Sequence, residues 1–214
     1  DDEVDYADKE WNFWEIRYPI LGSEESLILA TTRPETMLWD TGVAVNPDDP
    51  RYQHLIWKKV IVPLVNREVP IVADHYVDME FGTGVVKMTP AHDPNDFEVG
   101  KRTWIEILNI LTPDAKINEN WGKYAGLDRF EARKQIVADL EAQGYLVQVK
   151  KHNHAVGHCY RCNTVIEPRV SKQWFVKMKP LAEPAIEVVR SGKIKIQPRR
   201  WEKVYGEKTL LDLL

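Results

Sequence analysis

Asp93 and Asp96 stand three residues apart, just after His92 and close behind Lys87. Two carboxylates at that spacing, beside an imidazole and an ammonium group, would grip a substrate amine or orient a water molecule. A second group of polar residues follows the apolar run Leu27-Ile28-Leu29-Ala30: Thr31, Thr32, Arg33, Glu35 and Thr36, with Pro34 among them. Hydroxyls, a guanidinium and a carboxylate placed where a buried strand surfaces form a common kind of site on a rigid support. Each group also has a purely structural explanation. Asp93 suits a helix N-cap, Pro94 the first helical position and Asp96 the positive end of the helix dipole. Thr31 and Thr36 suit a turn stabilised by side-chain hydroxyls.

The elements that position these residues are short. Val85, Val86 and Met88 predict a strand leading into the helix at Asp93, with Gly82 and Gly84 marking a tight approach before it. Phe13 to Tyr18 alternates as a strand, and a second strand ends at Thr31. Gly42–Val45, Lys59–Val62 and Val69–Val72 read as further strands, and Ile105–Leu111 continues the β pattern. Asp128 and Glu131 resemble a capping box opening a helix whose apolar face is Phe130, Val137 and Leu140, stopped by Gly144. Tyr145–Val149 is a strand, and Leu181, Ala185, Val188 and Val189 form a last helical stripe before Gly192. Many short strands with few helices indicate an α+β body with a β-barrel-like core and flanking helices, rather than a doubly wound sheet.

The chain has 214 residues, enough to bury a core, and a net charge of −4. That balance does not advertise nucleic-acid binding, so an RNA partner would meet a local basic surface or be held by other parts. No stretch is long and apolar enough to span a membrane, and no signal peptide is expected at the acidic start. Cys159 and Cys162 form one Cys-x-x-Cys pair near His154 and His158. One pair falls short of four ligands at standard spacing, so free thiols and no bound metal are the expectation.

Taken together, Thr31-Thr32-Arg33-Pro34-Glu35-Thr36, Asp78-Met79-Glu80-Phe81-Gly82-Thr83-Gly84 and Thr89-Pro90-Ala91-His92-Asp93-Pro94-Asn95-Asp96 resemble the editing-domain motifs of the valyl-tRNA synthetase family, in order and spacing. The sister families for isoleucine and leucine share the inserted domain but carry a different threonine-rich motif in place of Arg33-Pro34-Glu35. The resemblance runs from about Val4 to Tyr205. It implies an editing domain over residues 1–205, with its core at about 25–150, linker remnants at both ends and a non-family tail at 206–214. The nucleotide-binding signatures His-x-Gly-His and Lys-Met-Ser-Lys-Ser do not occur, so amino-acid activation with ATP is not expected of this chain.

The resemblance implies hydrolysis of mischarged threonyl-tRNA(Val). Valine and threonine are near isosteres, and the valyl enzyme is itself the standing example of a hydrophobic pocket that rejects the extra hydroxyl only weakly. An editing pocket must then bond that hydroxyl and leave valine facing unpaired polar groups. By the same resemblance Asp96 would hold the α-ammonium, while Asp93, Thr31 and Thr36 would bond the threonine hydroxyl or position water. Arg33 and Lys87 would take the terminal adenosine and its phosphate, Phe81 would stack the adenine, and Asp78 would accept from its sugar or base. Thr32, Glu35 and His92 complete the substrate-binding set. His92 has a suitable pKa for a general base, but water oriented by Asp93 and the vicinal ribose hydroxyl ranks above it. Expected partners are the tRNA(Val) 3′ end and the rest of the synthetase, in the cytoplasm, with the domain alone monomeric and no cofactor.

Trp11, Trp39, Trp57, Trp104 and Trp121 stand near positions where glycine or a small residue is expected, and His75 where an acidic one is usual. Trp39, shortly after Thr36, would narrow the pocket. Two alternatives follow: a non-catalytic module that binds the tRNA 3′ end, or an engineered stability or assembly scaffold using the Leu-rich tail.

Overall fold

The computed structural model describes residues 3–172 and 174–201. The proposed 206–214 tail and the stretch from Glu202 to Tyr205 lie outside the described residues. The chain divides after Val170 into two compact units, and both sheets lie in the first.

One sheet has three antiparallel strands in the order β2-β1-β7: β1 (Val4–Pro19), β2 (Ser26–Thr31) and β7 (Leu146–Cys159). Trp14, Ile16 and Tyr18 point into the core from β1, as their alternation predicts, and Leu27 and Leu29 do so from β2. The register sets Trp14 opposite Thr31, so β2 ends beside the middle of its longer neighbour. The second sheet is mixed, in the order β4-β5-β3-β6: β3 (Gly42–Val45), β4 (Lys59–Val62), β5 (Arg67–Ala73) and β6 (Val85–Met88). β3 runs parallel to β5 and antiparallel to β6. The body is α+β as expected. Its barrel-like core is two sheets rather than a closed barrel, with β2 of one lying against β6 of the other.

Two helices complete this unit: α1 (Pro94–Thr103) and α2 (Arg129–Ala142). α2 packs over a short 3-10 turn, Pro34–Trp39, that follows β2 and is buried throughout. The buried face of α2 is Ala132, Ile136 and Leu140 with Arg129; Leu140 is on it as expected, while Phe130 and Val137 are half-buried at its edge. The capping box is also incomplete. Asp128 accepts from the Phe130 amide, but Glu131 pairs with Lys134 at 2.8 Å instead of turning back to the cap. Gly144 does take the left-handed φ of +74° that ends the helix.

Ile105–Leu111 is not a strand. Its amide groups are used elsewhere: the Ile110 N–H donates to His92 Nε2 and its carbonyl accepts from Asn118. Ile105, Ile110 and Leu111 are apolar because they are buried, not because they pair in a sheet. Conversely β7 runs on to Cys159, ten residues beyond the predicted end at Val149, paired with β1 along its length. In the second unit, α3 (Lys179–Arg190) buries Ala182, Ile186 and Val189, while Leu181 of the expected stripe is exposed.

Trp39 is 1% exposed and packs in the main core against Trp121, ring centroids 5.3 Å apart. It does not line the cavity described below, so the expected narrowing is absent. Its indole is large enough to fill core space behind the 3-10 turn.

Candidate active site

A cavity of about 540 Å³ opens where β2 meets β6, a size suited to a small ligand. Its walls carry Thr31 at the end of β2, Thr32 and Arg33 just after it, Thr36 from the 3-10 turn, Asp78 and Phe81 from the loop before β6, Lys87 from β6, and Asp93 and Asp96 from the start of α1. Nine of the eleven residues expected at the site therefore line one cavity, and the other two do not.

The hydroxyl-bearing wall is rigid for local reasons. Thr31 Oγ1 accepts from the Arg33 amide at 3.0 Å, and Thr36 Oγ1 donates to the Arg33 carbonyl at 2.8 Å. The two threonines thus close the turn that carries Arg33 as well as facing the cavity. The acidic wall has the same double character. Asp93 Oδ1 accepts from the amides of Asn95 and Asp96 at 2.8 and 3.1 Å, which is N-capping of α1. Asp96 Oδ2 accepts from the amide and hydroxyl of Thr89 at 2.8 and 3.2 Å. Asp96 is 6% exposed, and burial raises its pKa while Lys87 pulls it down. Capping and chemistry are not alternatives here, since each carboxylate keeps a second oxygen outside these bonds.

Lys87 is buried and reaches Thr89 Oγ1 at 3.3 Å. Behind it Asp40, fully buried, lies 3.6 Å from its ammonium and accepts a 2.6 Å bond from Tyr18. Burial pushes the Asp40 carboxyl up to about 7 against the pull of Lys87 and Tyr18. Gly84, at φ +73°, marks the tight approach before β6: a Cβ there would stand 3.1 Å from the Met79 carbonyl and 2.5 Å from the Arg51 guanidinium.

Glu35 and His92 are placed away from the cavity. Glu35 is 1% exposed and is held by Arg133 of α2 through two 2.7 Å bonds. That paired geometry leaves it no reach to a ligand. His92 is fully buried; its Nδ1 meets the Pro168 carbonyl at 3.1 Å and its Nε2 accepts from the Ile110 amide. Both ring nitrogens are occupied in a neutral tautomer, and burial lowers the pKa to about 4. The appeal of a nearby histidine as a base ends there: His92 is a core tie between two loops.

Several cavity residues carry no signal in the local sequence. Phe13 of β1 and His152 and His154 of β7 line the rim near Phe81. Phe13 and His152 are stacked at 5.1 Å and 27°, and His152 and His154 at 5.8 Å and 16°. Only the continuation of β7 past Val149 brings them there. Cys159 and Cys162 are free thiols, Cys162 Sγ lying 3.3 Å from Thr164 Oγ1. Among the described residues no three His, Cys, Asp or Glu side chains converge as metal ligands.

The family model "Leucyl-tRNA synthetase, editing domain" matches residues 54–127. Valine--tRNA ligase of Fusobacterium nucleatum subsp. nucleatum is 63% identical over 205 residues, 96% of this chain and 23% of that protein. Those of Clostridium tetani and Thermotoga maritima are 62% and 55% identical over the same length, 23% and 24% of each. The chain thus spans about a quarter of the length of these curated relatives. Among solved structures, the LeuRS of Agrobacterium radiobacter K84, in a ternary complex with tRNA and LeuAMS, superposes with a TM-score of 0.52 at 16% identity. That match covers 84% of this chain and 28% of the other. GlLeuRS-CP1 superposes with a TM-score of 0.50 at 14% identity, covering 64% of this chain and 98% of that one. At such identities the likeness concerns the fold alone. Close sequence identity to valine--tRNA ligases along nearly its whole length, on the fold of the leucyl CP1 domain, places the chain in the valyl-tRNA synthetase family as an editing domain of that class I enzyme.

Proposed function

We propose that the chain is a post-transfer editing hydrolase that deacylates threonyl-tRNA(Val). The observation that carries this reading is the meeting in one cavity of the Thr31–Thr36 wall with Asp93, Asp96 and Lys87. Asp96 pairs with the α-ammonium of the esterified amino acid, its charge supported by Lys87 and the Thr89 amide. Asp93 and the hydroxyls of Thr31 and Thr36 bond the threonine side-chain hydroxyl. Valine, with a methyl in place of the hydroxyl, would leave those groups desolvated without a partner, which disfavours it strongly. Arg33 receives the terminal phosphate, Phe81 stacks the adenine and Asp78 meets its sugar. Water oriented by Asp93 and the vicinal ribose hydroxyl adds to the acyl carbon. The ester C–O bond then breaks, and the ribose oxygen leaves with the proton. His92 takes no proton in this scheme.

In the cell the partners are the tRNA(Val) 3′ end and the remainder of the synthetase, and the setting is the cytoplasm. Among the described residues no helix is long and apolar enough to cross a membrane. The non-catalytic reading rested on a pocket narrowed by Trp39, and Trp39 lies in the core instead.

Single-turnover deacylation of threonyl- and valyl-tRNA(Val), with Asp96→Ala alongside, tests the proposal. The threonyl ester is expected to be lost selectively, and the variant to be slower by at least about 10²-fold, as displacement of a bound substrate entails. No hydrolysis by the wild-type chain at high concentration would overturn the reading.

A further inference from the structure

Behind the cavity, three guanidinium groups share two carboxylates. Arg33 bonds Glu167 through Nη2, donates from Nη1 to the His92 carbonyl at 3.3 Å, and stands 4.0 Å from Glu35. The other oxygen of Glu167 lies 3.1 Å from Arg129 Nε, and Glu35 is taken by Arg133. Arg33, Arg129 and Arg133 against Glu35 and Glu167 leave one positive charge over. Of the five side chains Arg33 is the most exposed, at 27%, and among them only Arg33 lines the cavity. Within the cluster it is therefore Arg33 that presents its charge to this cavity.

Glu167 sits in a strap fixed on both sides. Ile166 N–H donates to Gly157, the Val165 carbonyl accepts from Arg129 at 2.9 Å, and the Pro168 carbonyl meets His92. Val170 N–H closes the strap on the Ala91 carbonyl at 2.9 Å. It is thus tied to the same loop that carries Asp93. The Glu167 side chain is 9% exposed, an expensive place for a carboxylate unless its partners are well set.

Resting on the RNA-end reading above, we propose that Glu167 is a positioning residue, which holds the Arg33 guanidinium at the angle where it meets a phosphodiester oxygen of the bound RNA. Glu167 acts through Arg33 and touches no substrate. Arg129 serves it in turn as a counter-charge 3.1 Å from the far oxygen.

Aim and charge make opposite forecasts, which gives the test its force. Removing a carboxylate leaves three cations facing one anion, so a purely electrostatic role for Glu167 means tighter RNA binding in Glu167→Gln. A positioning role means weaker binding. The experiment is equilibrium binding of uncharged tRNA(Val) to the full chain over a salt series, with wild type, Arg33→Ala, Glu167→Gln, Glu167→Asp and the Arg33→Ala/Glu167→Gln pair. Thermal unfolding confirms that each variant is folded. We expect Glu167→Gln to weaken binding by roughly tenfold and to lower the salt slope by about one, as loss of one phosphate contact does. The pair should be no weaker than Arg33→Ala alone. Glu167→Asp keeps the charge but shortens the reach, so it weakens binding too; it carries the test if the glutamine variant does not fold. In deacylation the defect should raise the half-saturating concentration more than it lowers the saturated rate.

Binding by Glu167→Gln that equals or exceeds wild type overturns the assignment, whatever the deacylase result. The coupled loss of binding in a wild-type chain that does not deacylate would sink the hydrolase reading and leave Glu167 its role. A wild-type chain with no measurable tRNA binding overturns both.

Discussion

The Lys87 ammonium stands 3.6 Å from Asp40 Oδ1, although Asp40 lies outside the cavity and Lys87 lines it. Asp40 is fully buried, and its carboxyl is pushed up from 3.8 to about 7. The folded protein therefore holds a proton there that the unfolded chain has lost. The stability from this group is fully present below about pH 4 and is lost as pH rises through about 7. Asp40→Asn is expected to abolish that slope. Urea unfolding from pH 4 to about 8 should show the variant gaining on wild type as pH rises; a constant difference would refute the account.

His92 gives the opposite sign. Its pKa falls from 6.5 to about 4 by burial, so its contribution is fully present above about 6.5 and is lost as pH falls through about 4. His92→Ala should cost about 1–3 kcal/mol at neutral pH by leaving the Ile110 amide and Pro168 carbonyl unpaired, and should remove the acid-side slope. A folded His92→Gln variant should lose less than about 10²-fold in deacylation rate, the least that a general base supplies. A larger loss, with a shifted pH–rate profile, would restore the histidine to the chemistry.

Trp57 and Trp104 have φ values of +70° and +59°, with 73% and 92% exposure. Neither side chain gains much from packing, and both backbones sit where a Cβ is strained. Trp57→Gly and Trp104→Gly are each expected to stabilise the protein by about 1 kcal/mol, and because both border one surface cleft the pair measures any coupling between them. Thermal unfolding of the two single variants and the pair decides it, and destabilisation by either would show that the indole makes a contact worth more than the strain.

Breaking the Glu35–Arg133 pair should be costly. With Glu35 at 1% and Arg133 at 11% side-chain exposure, Glu35→Gln adds a second unmatched positive charge to the buried cluster, a loss of about 3–5 kcal/mol, and Arg133→Met, which leaves Glu35 with Arg33 at 4.0 Å, costs less. The double variant should recover part of that cost. Denaturant midpoints measure it, and simple additivity would mean that the two do not act as a pair.

The strands with strict alternation or a β-branched run between turns, such as Gly42–Val45 and Lys59–Val62, were legible in the sequence because local pattern and tertiary role coincide there. So was the Asp93 cap, since N-capping is a property of neighbouring residues. Ile105–Leu111 misled because a buried loop and a buried strand have the same hydrophobicity, and only the His92 and Asn118 side of the hydrogen bonding separates them. His152, His154 and Glu167 were hidden for another reason. They reach the site through β7 and the strap after it, and residues joined over such a separation leave no spacing to read. Glu35 shows the converse: a motif residue that the fold pairs with Arg133 and leaves out of the cavity its neighbours line.

The two walls of the cavity belong to different sheets, β2 to one and β6 to the other. The sheets are joined by backbone bonds at one corner, where the Leu21 N–H donates to the Lys59 carbonyl at 2.9 Å. But β2 and β6 are not paired with each other, so the width at the cavity follows the thickness of the apolar layer behind it. On the proposed function, telling a hydroxyl from a methyl in that gap would depend on residues such as Ile16, Leu29, Val43 and Val45, which lie in the core and not in the cavity lining. A methylene added or removed in that layer acts like a turn of a calliper screw, resetting the gap between the jaws while every polar group in them stays unchanged.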